Sequence, residues 1–279
     1  MLTVVQAIRS AAFYLVFFTQ TAILAIILGT RALLVHRRTA FGWAIAQYWG
    51  NSNLAFLRWI VGIRTETTGA ENIPDGPCII AAKHMSDWDI FAILPHSRRP
   101  AFIAKKELMD IPFFGRAARS FDTIRIDRKL GSDAIPLMLD DARAALDRGC
   151  RLIIFPEGTR KPPLAPHDYR YGIVRMYEAL GVPVVPVALN SGLYWPRNGL
   201  VLWPGTARAR FLPAIPPGLP ADQFHARLVA TIEDGTNELI LDAYRNGLSR
   251  PVPVELQGRL EALAAGHPPP PAPPRPTTS

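Results

Sequence analysis

The sequence predicts a mixed, mostly parallel α/β sheet flanked by helices, with a membrane-embedded helical segment at its N-terminus. Three observations carry that prediction. Beyond residue 60, short apolar runs alternate with helical patterns, the rhythm of strand–helix–strand units. Ahead of them, the stretch "SAAFYLVFFTQTAILAIILGT" from Ser10 to Thr30 contains no charged residue. Polar side chains capable of chemistry stand directly after several apolar runs, where open α/β sheets collect their ligands.

The uncharged stretch comes first. At 1.5 Å per residue it reaches roughly 30 Å, the hydrocarbon thickness of a bilayer. A cleaved signal peptide fits less well, because the apolar region is long and the basic "RALLVHRR" follows where a small-residue cleavage site would stand. A second uncharged stretch, 39–57, carries Gln47, Asn51, Ser52 and Asn53 beside Trp43, Tyr48 and Trp49. Such aromatics favour the headgroup level, so this segment is expected to lie in the interface as partner of the first. Arg31, Arg37 and Arg38 outweigh Arg9 and the N-terminal amine, which places the following domain on the cytoplasmic side of a cell inner membrane. The expected organisation is 1–60 as membrane-anchoring helices, 61–250 as the α/β domain and 251–279 as a C-terminal extension. That extension ends in "HPPPPAPPRPTTS", a proline-rich tail expected to be disordered.

Within the α/β domain, strands are expected at 61–68, 78–82, 101–104, 123–127, 151–155, 184–189 and 207–212. Helices are expected near 87–94, 106–119, 132–148, 171–180 and 221–247. The 132–148 segment is well punctuated: Ser132 or Asp133 as N-cap, apolar spacing through Leu137, Ala142 and Leu146, and Gly149 at its stop.

Composition narrows the partners. The net charge is +8, yet the basic residues are scattered, with no Lys/Arg run interleaved with aromatics, so no nucleic acid partner is expected. An anionic lipid or a phosphorylated substrate accounts for the charge equally well. Cys78 and Cys150, the only cysteines, adjoin apolar strands and read as small buried hydrophobes in a reducing compartment.

The strand ends hold the chemistry. The run at 78–82 delivers Lys83 and His84, that at 101–104 Lys105 and Lys106, that at 151–155 Glu157, Thr159 and Arg160, and that at 184–189 Asn190 and Ser191. Parallel, adjacent strands would gather these into an acid–base site beside an anion site. His84 and Asp89 would point about 140° apart within one regular helix. They meet only if His84 lies in the loop before the helix and Asp89 in its first turns. A carboxylate on one imidazole nitrogen holds the tautomer and leaves the other to accept a proton. Spacing does not choose between Asp87 and Asp89, and Ser86 or Asp87 also suits a helix N-cap. A Ser86-based hydrolase lacks a G-x-S-x-G elbow, and a metal site lacks a helical His-x-x-x-His pair, so no metal is expected. In "FPEGTR", Pro156 ends the strand, Gly158 permits a tight turn, and Arg160 offers the planar fork that suits phosphate; a salt bridge with Glu157 is the plainer use of that arginine.

Together these motifs resemble the PlsC-like lysophosphatidic acid acyltransferases, a glycerolipid acyltransferase family. "HMSDWD" matches the His-x4-Asp block and selects His84 and Asp89. "AKKELMDIPFFGR" with "TIRIDR" matches the second block, "FPEGTR" the third and "VPVVPVALN" the fourth. The resemblance spans roughly residues 60–215 in order. Two departures stand out: Asp122 occupies the neighbourhood where a glycine is usual, and "DYRYG" has Arg170 where lysine is frequent.

The resemblance implies acyl transfer from acyl-CoA or an acyl carrier protein, as co-substrate, to the sn-2 hydroxyl of membrane lysophosphatidate, with no cofactor. His84 would be the general base and Asp89 its orienting partner. Lys105, Arg128 and Arg160 would bind the phosphate; Glu157, Gly158 and Thr159 would also bind substrate, Glu157 ordering the turn or the glycerol hydroxyl, with backbone amides around Gly158 as candidate oxyanion donors. Glycerol-3-phosphate, other lysophospholipids and lyso-ornithine lipid suit related sites, and a membrane-bound lipid hydrolase is the alternative from another class.

Overall fold

The computed structural model describes residues 2–34, 40–120, 122–127 and 134–268. All seven expected strands form: β1 (Ile63–Thr68), β2 (Ile79–Ala82), β3 (Pro100–Lys105), β4 (Ile124–Ile126), β5 (Arg151–Ile154), β6 (Val184–Leu189) and β7 (Gly205–Phe211). They build one sheet in the order β1-β7-β6-β2-β5-β3-β4. From β6 to β4 every pairing is parallel; β7 runs antiparallel to β6, and β1 parallel to β7. The carboxyl ends of β6, β2, β5 and β3 therefore share one edge.

The helices are α1 (Leu2–Leu34), α2 (Ala40–Phe56), α3 (Trp88–Ile93), α4 (Lys106–Met109), α5 (Phe114–Arg119), α6 (Ala134–Asp147), α7 (Gly172–Leu180), α8 (Ala221–Arg245) and α9 (Val254–Ala264). Central strands are buried on both faces. In β2, Ile80 and Ala82 face a core with Trp88, Phe91 and Leu57, while Ile79 and Ala81 face another with Met138, Val174 and Leu228. That alternation is the two-residue period of a strand.

Two helical expectations are corrected. The segment 106–119 is two short helices, because Pro112 supplies no N–H and Phe113 adopts a φ of +60°. The helix α9 was not anticipated, although Leu256, Leu260 and Leu263 recur at helical spacing and are buried. Asp87 sits at the N-cap of α3 but makes no side-chain capping bond there. The proposed caps Ser132 and Asp133 and the tail 269–279 lie outside the described residues.

The helix α1 is long and apolar enough to cross a membrane. It is also docked along its length. Gln6 Nε2 donates to the Val61 carbonyl at 2.9 Å, and Ser10 Oγ accepts from Leu202 N at 2.9 Å. Phe13 meets Trp195 edge-on, Phe17 lies 5.9 Å from Phe91, and Gly29 abuts Phe113 so closely that a Cβ would fall 2.9 Å from its Cα. Gln20 and Thr21 hydrogen-bond Ser52 and Trp49 of α2. Gln6, Ser10, Gln20 and Thr21 thus form a stripe facing protein, while Ile8, Leu15, Phe18, Ile23 and Ile26 remain exposed.

Candidate active site

Three loops leaving β2, β5 and β6 meet at the shared sheet edge. In the first, the chain leaves β2 at Lys83 and turns into α3, placing His84 before the helix and Asp89 in its first turn. His84 Nδ1 and Asp89 Oδ2 are 2.9 Å apart. The amides of Met85 and Ser86 donate to the same Oδ2 at 2.7 and 3.0 Å. Ser86 Oγ reaches Oδ1 at 3.3 Å, and Ser191 Oγ, from the loop after β6, donates to it at 2.5 Å. Asp89 is fully buried, so this set of donors is what stabilises its charge away from water. The imidazole stacks on Phe155, ring centroids 4.0 Å apart, and lines the cavity.

The second loop, "FPEGTR", is tied to the first: Lys161 N donates to the His84 carbonyl at 2.8 Å, and Arg160 Nη1 to Asp87 Oδ2 at 2.9 Å. Burial pushes the Asp87 carboxyl above its ordinary range, against the lowering effect of Arg160. Arg160 pairs with Asp87, and not with Glu157 as the plainer reading had it. Glu157 turns inward, away from the cavity, where Lys83 Nζ reaches its Oε1 at 3.0 Å. Lys83 also donates to Glu233 Oε1 of α8 at 2.7 Å, and Tyr169 OH donates to that oxygen at 2.7 Å. Burial raises the Glu157 carboxyl, and Lys83 opposes the shift. Burial also holds the Tyr169 hydroxyl well above its usual value.

Gly158 takes a φ of +69°, and its amide donates to the Phe155 carbonyl at 2.9 Å. That amide closes the turn, which removes it from the candidate oxyanion donors. Thr159 Oγ1 lies 3.4 Å from Arg197 Nη2, and Arg160, Arg170 and Arg197 all line the cavity. Lys105 is the last residue of β3, and Lys106, which follows it, pairs with Asp127 at 3.2 Å. Arg128 lies outside the described residues. Asp122, in the neighbourhood where the family usually has a glycine, adopts a φ of +64° and is held by Arg148 at 2.7 and 3.0 Å. The position keeps the left-handed backbone that favours glycine, at a side chain anchored by an ion pair.

Sequence reasoning missed the buried cluster of Lys83, Glu157, Glu233 and Tyr169, and the bond from Ser191 to Asp89. For Glu233 a signal was present, since a carboxylate sits between Ile232 and Thr236 on the buried face of α8. The cavity measures about 1040 Å³ and runs from His84 and Arg160 past Phe102, Ile126 and Met138 to Leu24 and Leu28 of α1. Its lining is mostly apolar, with Arg160, Arg170 and Arg197 beside Asp87 and Asp168 at the His84 end, an arrangement that suits a long hydrocarbon carrying an anionic head.

The sequence matches the Acyltransferase family over residues 64–190. The 1-acyl-sn-glycerol-3-phosphate acyltransferase of Pseudomonas aeruginosa is 33% identical over 214 residues, covering 77% of this chain and 83% of that protein. The human 1-acyl-sn-glycerol-3-phosphate acyltransferase alpha is 29% identical over 198 residues, 69% of this chain and 68% of the relative. The crystal structure of the acyltransferase PlsC from Thermotoga maritima superposes with a TM-score of 0.70 at 23% identity, covering 86% of this chain and 99% of that one, a likeness of fold. With the histidine and aspartate of the first block in contact and the matched relatives spanning most of its length, the chain belongs to the PlsC-like glycerolipid acyltransferase family.

Proposed function

We propose that the protein transfers an acyl chain from a thioester, acyl-CoA or acyl carrier protein, to the sn-2 hydroxyl of lysophosphatidate, giving phosphatidate. The observation that carries this reading is the His84–Asp89 pair beside a large, mostly apolar cavity whose lining includes Arg160, Arg170 and Arg197. His84 Nε2 removes the hydroxyl proton as the oxygen attacks the thioester carbonyl, and Asp89 stabilises the imidazolium. The tetrahedral intermediate then expels the thiolate, which takes the proton back, and no protein nucleophile is consumed. Arg160, with Lys105 and Arg128, binds the acceptor phosphate; Arg is suited to it by bidentate geometry. Thr159 and the Gly158 turn place Arg160, and Glu157 holds that turn from behind through Lys83. The chemistry needs no metal and no cofactor beyond the donor.

The docking of α1 along the domain favours a helix embedded by its exposed face over one that leaves the domain to cross the bilayer. The catalytic edge then sits at the cytoplasmic surface of the inner membrane, where both lipids reside. The test is acyl transfer by the full chain in membranes, with lysophosphatidate and each donor. Phosphatidate formed by the parent protein and abolished by His84→Ala is the expected result. Product insensitive to His84→Ala would sink the mechanism, and turnover only with another acceptor would redirect the substrate assignment.

A further inference from the structure

We infer that Ser191 is a positioning residue of this site: it fixes the plane of the Asp89 carboxylate, and through it the orientation of His84. The inference rests on reading His84 as the base. Asp89 Oδ2 receives three donors, His84 Nδ1 and the amides of Met85 and Ser86, all from its own loop. They hold that oxygen but leave the carboxylate to rock about it, and the Ser86 hydroxyl at 3.3 Å is a weak restraint on Oδ1. The tie from Ser191 Oγ is short, at 2.5 Å, and joins residues 102 apart in sequence. Among the described residues it is the one hydrogen bond that Asp89 receives from outside its own loop. A hydroxyl donating to a buried carboxylate is one of the stronger restraints available to a side chain.

The turn carrying Ser191 is itself immobilised. The amides of Tyr194 and Trp195 both donate to the Ser191 carbonyl at 2.9 Å. Arg250, beyond α8, donates to the Leu193 carbonyl at 3.1 Å. Gly192 is wedged between the other two loops, since a Cβ there would meet Pro163 at 3.0 Å and Met85 at 3.1 Å. The loop after β6 thus bridges the histidine loop and the arginine loop, and Ser191 is the point at which it touches the charge.

The experiment compares Ser191→Ala with the parent and with His84→Ala, as full chains in lipid–detergent micelles, using acyl-CoA and lysophosphatidate. The charged groups facing the imidazole are Asp89, Asp87 and, paired with Asp87, Arg160; Ser191→Ala alters none of them. Ser191→Ala is expected to lower kcat about tenfold, the worth of one hydrogen bond to a charged group, at unchanged KM for lysophosphatidate. The acidic limb of kcat/KM moves to higher pH, because a carboxylate with one donor fewer holds the imidazolium more strongly. An unchanged kcat and acidic limb in Ser191→Ala, with His84→Ala inactive, overturns the role of Ser191 alone. A loss of kcat without movement of the acidic limb, accompanied by a lower melting temperature, also overturns it, as a purely structural effect. Activity retained in His84→Ala instead removes the general-base reading on which the inference stands.

Discussion

Asp89→Asn keeps the shape of the side chain but places an amide where His84 needs an acceptor. The substitution disturbs the tautomer and removes the charge that stabilises an imidazolium, so kcat is expected to fall by roughly 10³-fold or more while the fold persists. Steady-state kinetics beside a melting curve separate the two effects. Lys83 calls for the opposite comparison. Its ammonium is buried between Glu157 and Glu233, so Lys83→Ala leaves two carboxylates facing each other without a cation. Removing one partner from such a buried cluster costs about 3–5 kcal/mol, readable as a lower denaturation midpoint. Asp89 and Lys83 differ in how far the sequence disclosed them. The family's spacing selected Asp89 over Asp87 because its contact is local, five residues from His84. The partner of Lys83 is 150 residues away, a pairing that no local pattern encodes.

Among the elements, the turn between β5 and α7 depends on Gly158. A Cβ there would sit 2.8 Å from Arg170 Nε on a backbone with φ +69°. Gly158→Ala therefore combines a left-handed penalty of about 1–2 kcal/mol with displacement of a cation that lines the cavity. The expected readout is a raised KM for the anionic acceptor, with the donor KM less affected. The strands β2 and β5 carry the two cysteines just ahead of them, and burial pushes both thiols to about 11. At pH 8 neither Cys78 nor Cys150 should react with a thiol reagent until the protein is unfolded, and a mass shift on the native chain would contradict this. The strands β2 and β6 were legible as short apolar runs, and β7 as an alternation of buried and more exposed residues. The break between α4 and α5 was less so, since Pro112 can also sit in a helix's first turn, and only the tertiary fit of Phe113 against Gly29 settles the geometry.

For the whole molecule, acid is the informative perturbation. Burial holds His96 and His167 below their ordinary value of 6.5. A base whose folded value is depressed contributes stability that is present above about 6.5 and lost as pH falls through the folded value. The melting temperature is therefore expected to drop as the buffer goes from pH 7 toward 5, before most carboxylates titrate. His96→Gln and His167→Gln together should flatten that slope. The parallel core of the sheet was readable from alternation alone, because a parallel neighbour needs a helical crossover and the helices are in the sequence. The reversal of β7 and β1 was not, since their alternating pattern is compatible with a neighbour of either sense.

The way α1 lies along the domain has a practical corollary. Phe13 and Leu57 belong to the same buried cluster as Trp88 and Val187, and Leu24 and Leu28 close one side of the cavity. The apolar helix is thus a structural wall of the cavity. Shearing it off at residue 60 would not release a water-soluble enzyme. It would open the cavity beside Leu24 and Leu28 and bare the core beneath, leaving a polypeptide that clumps.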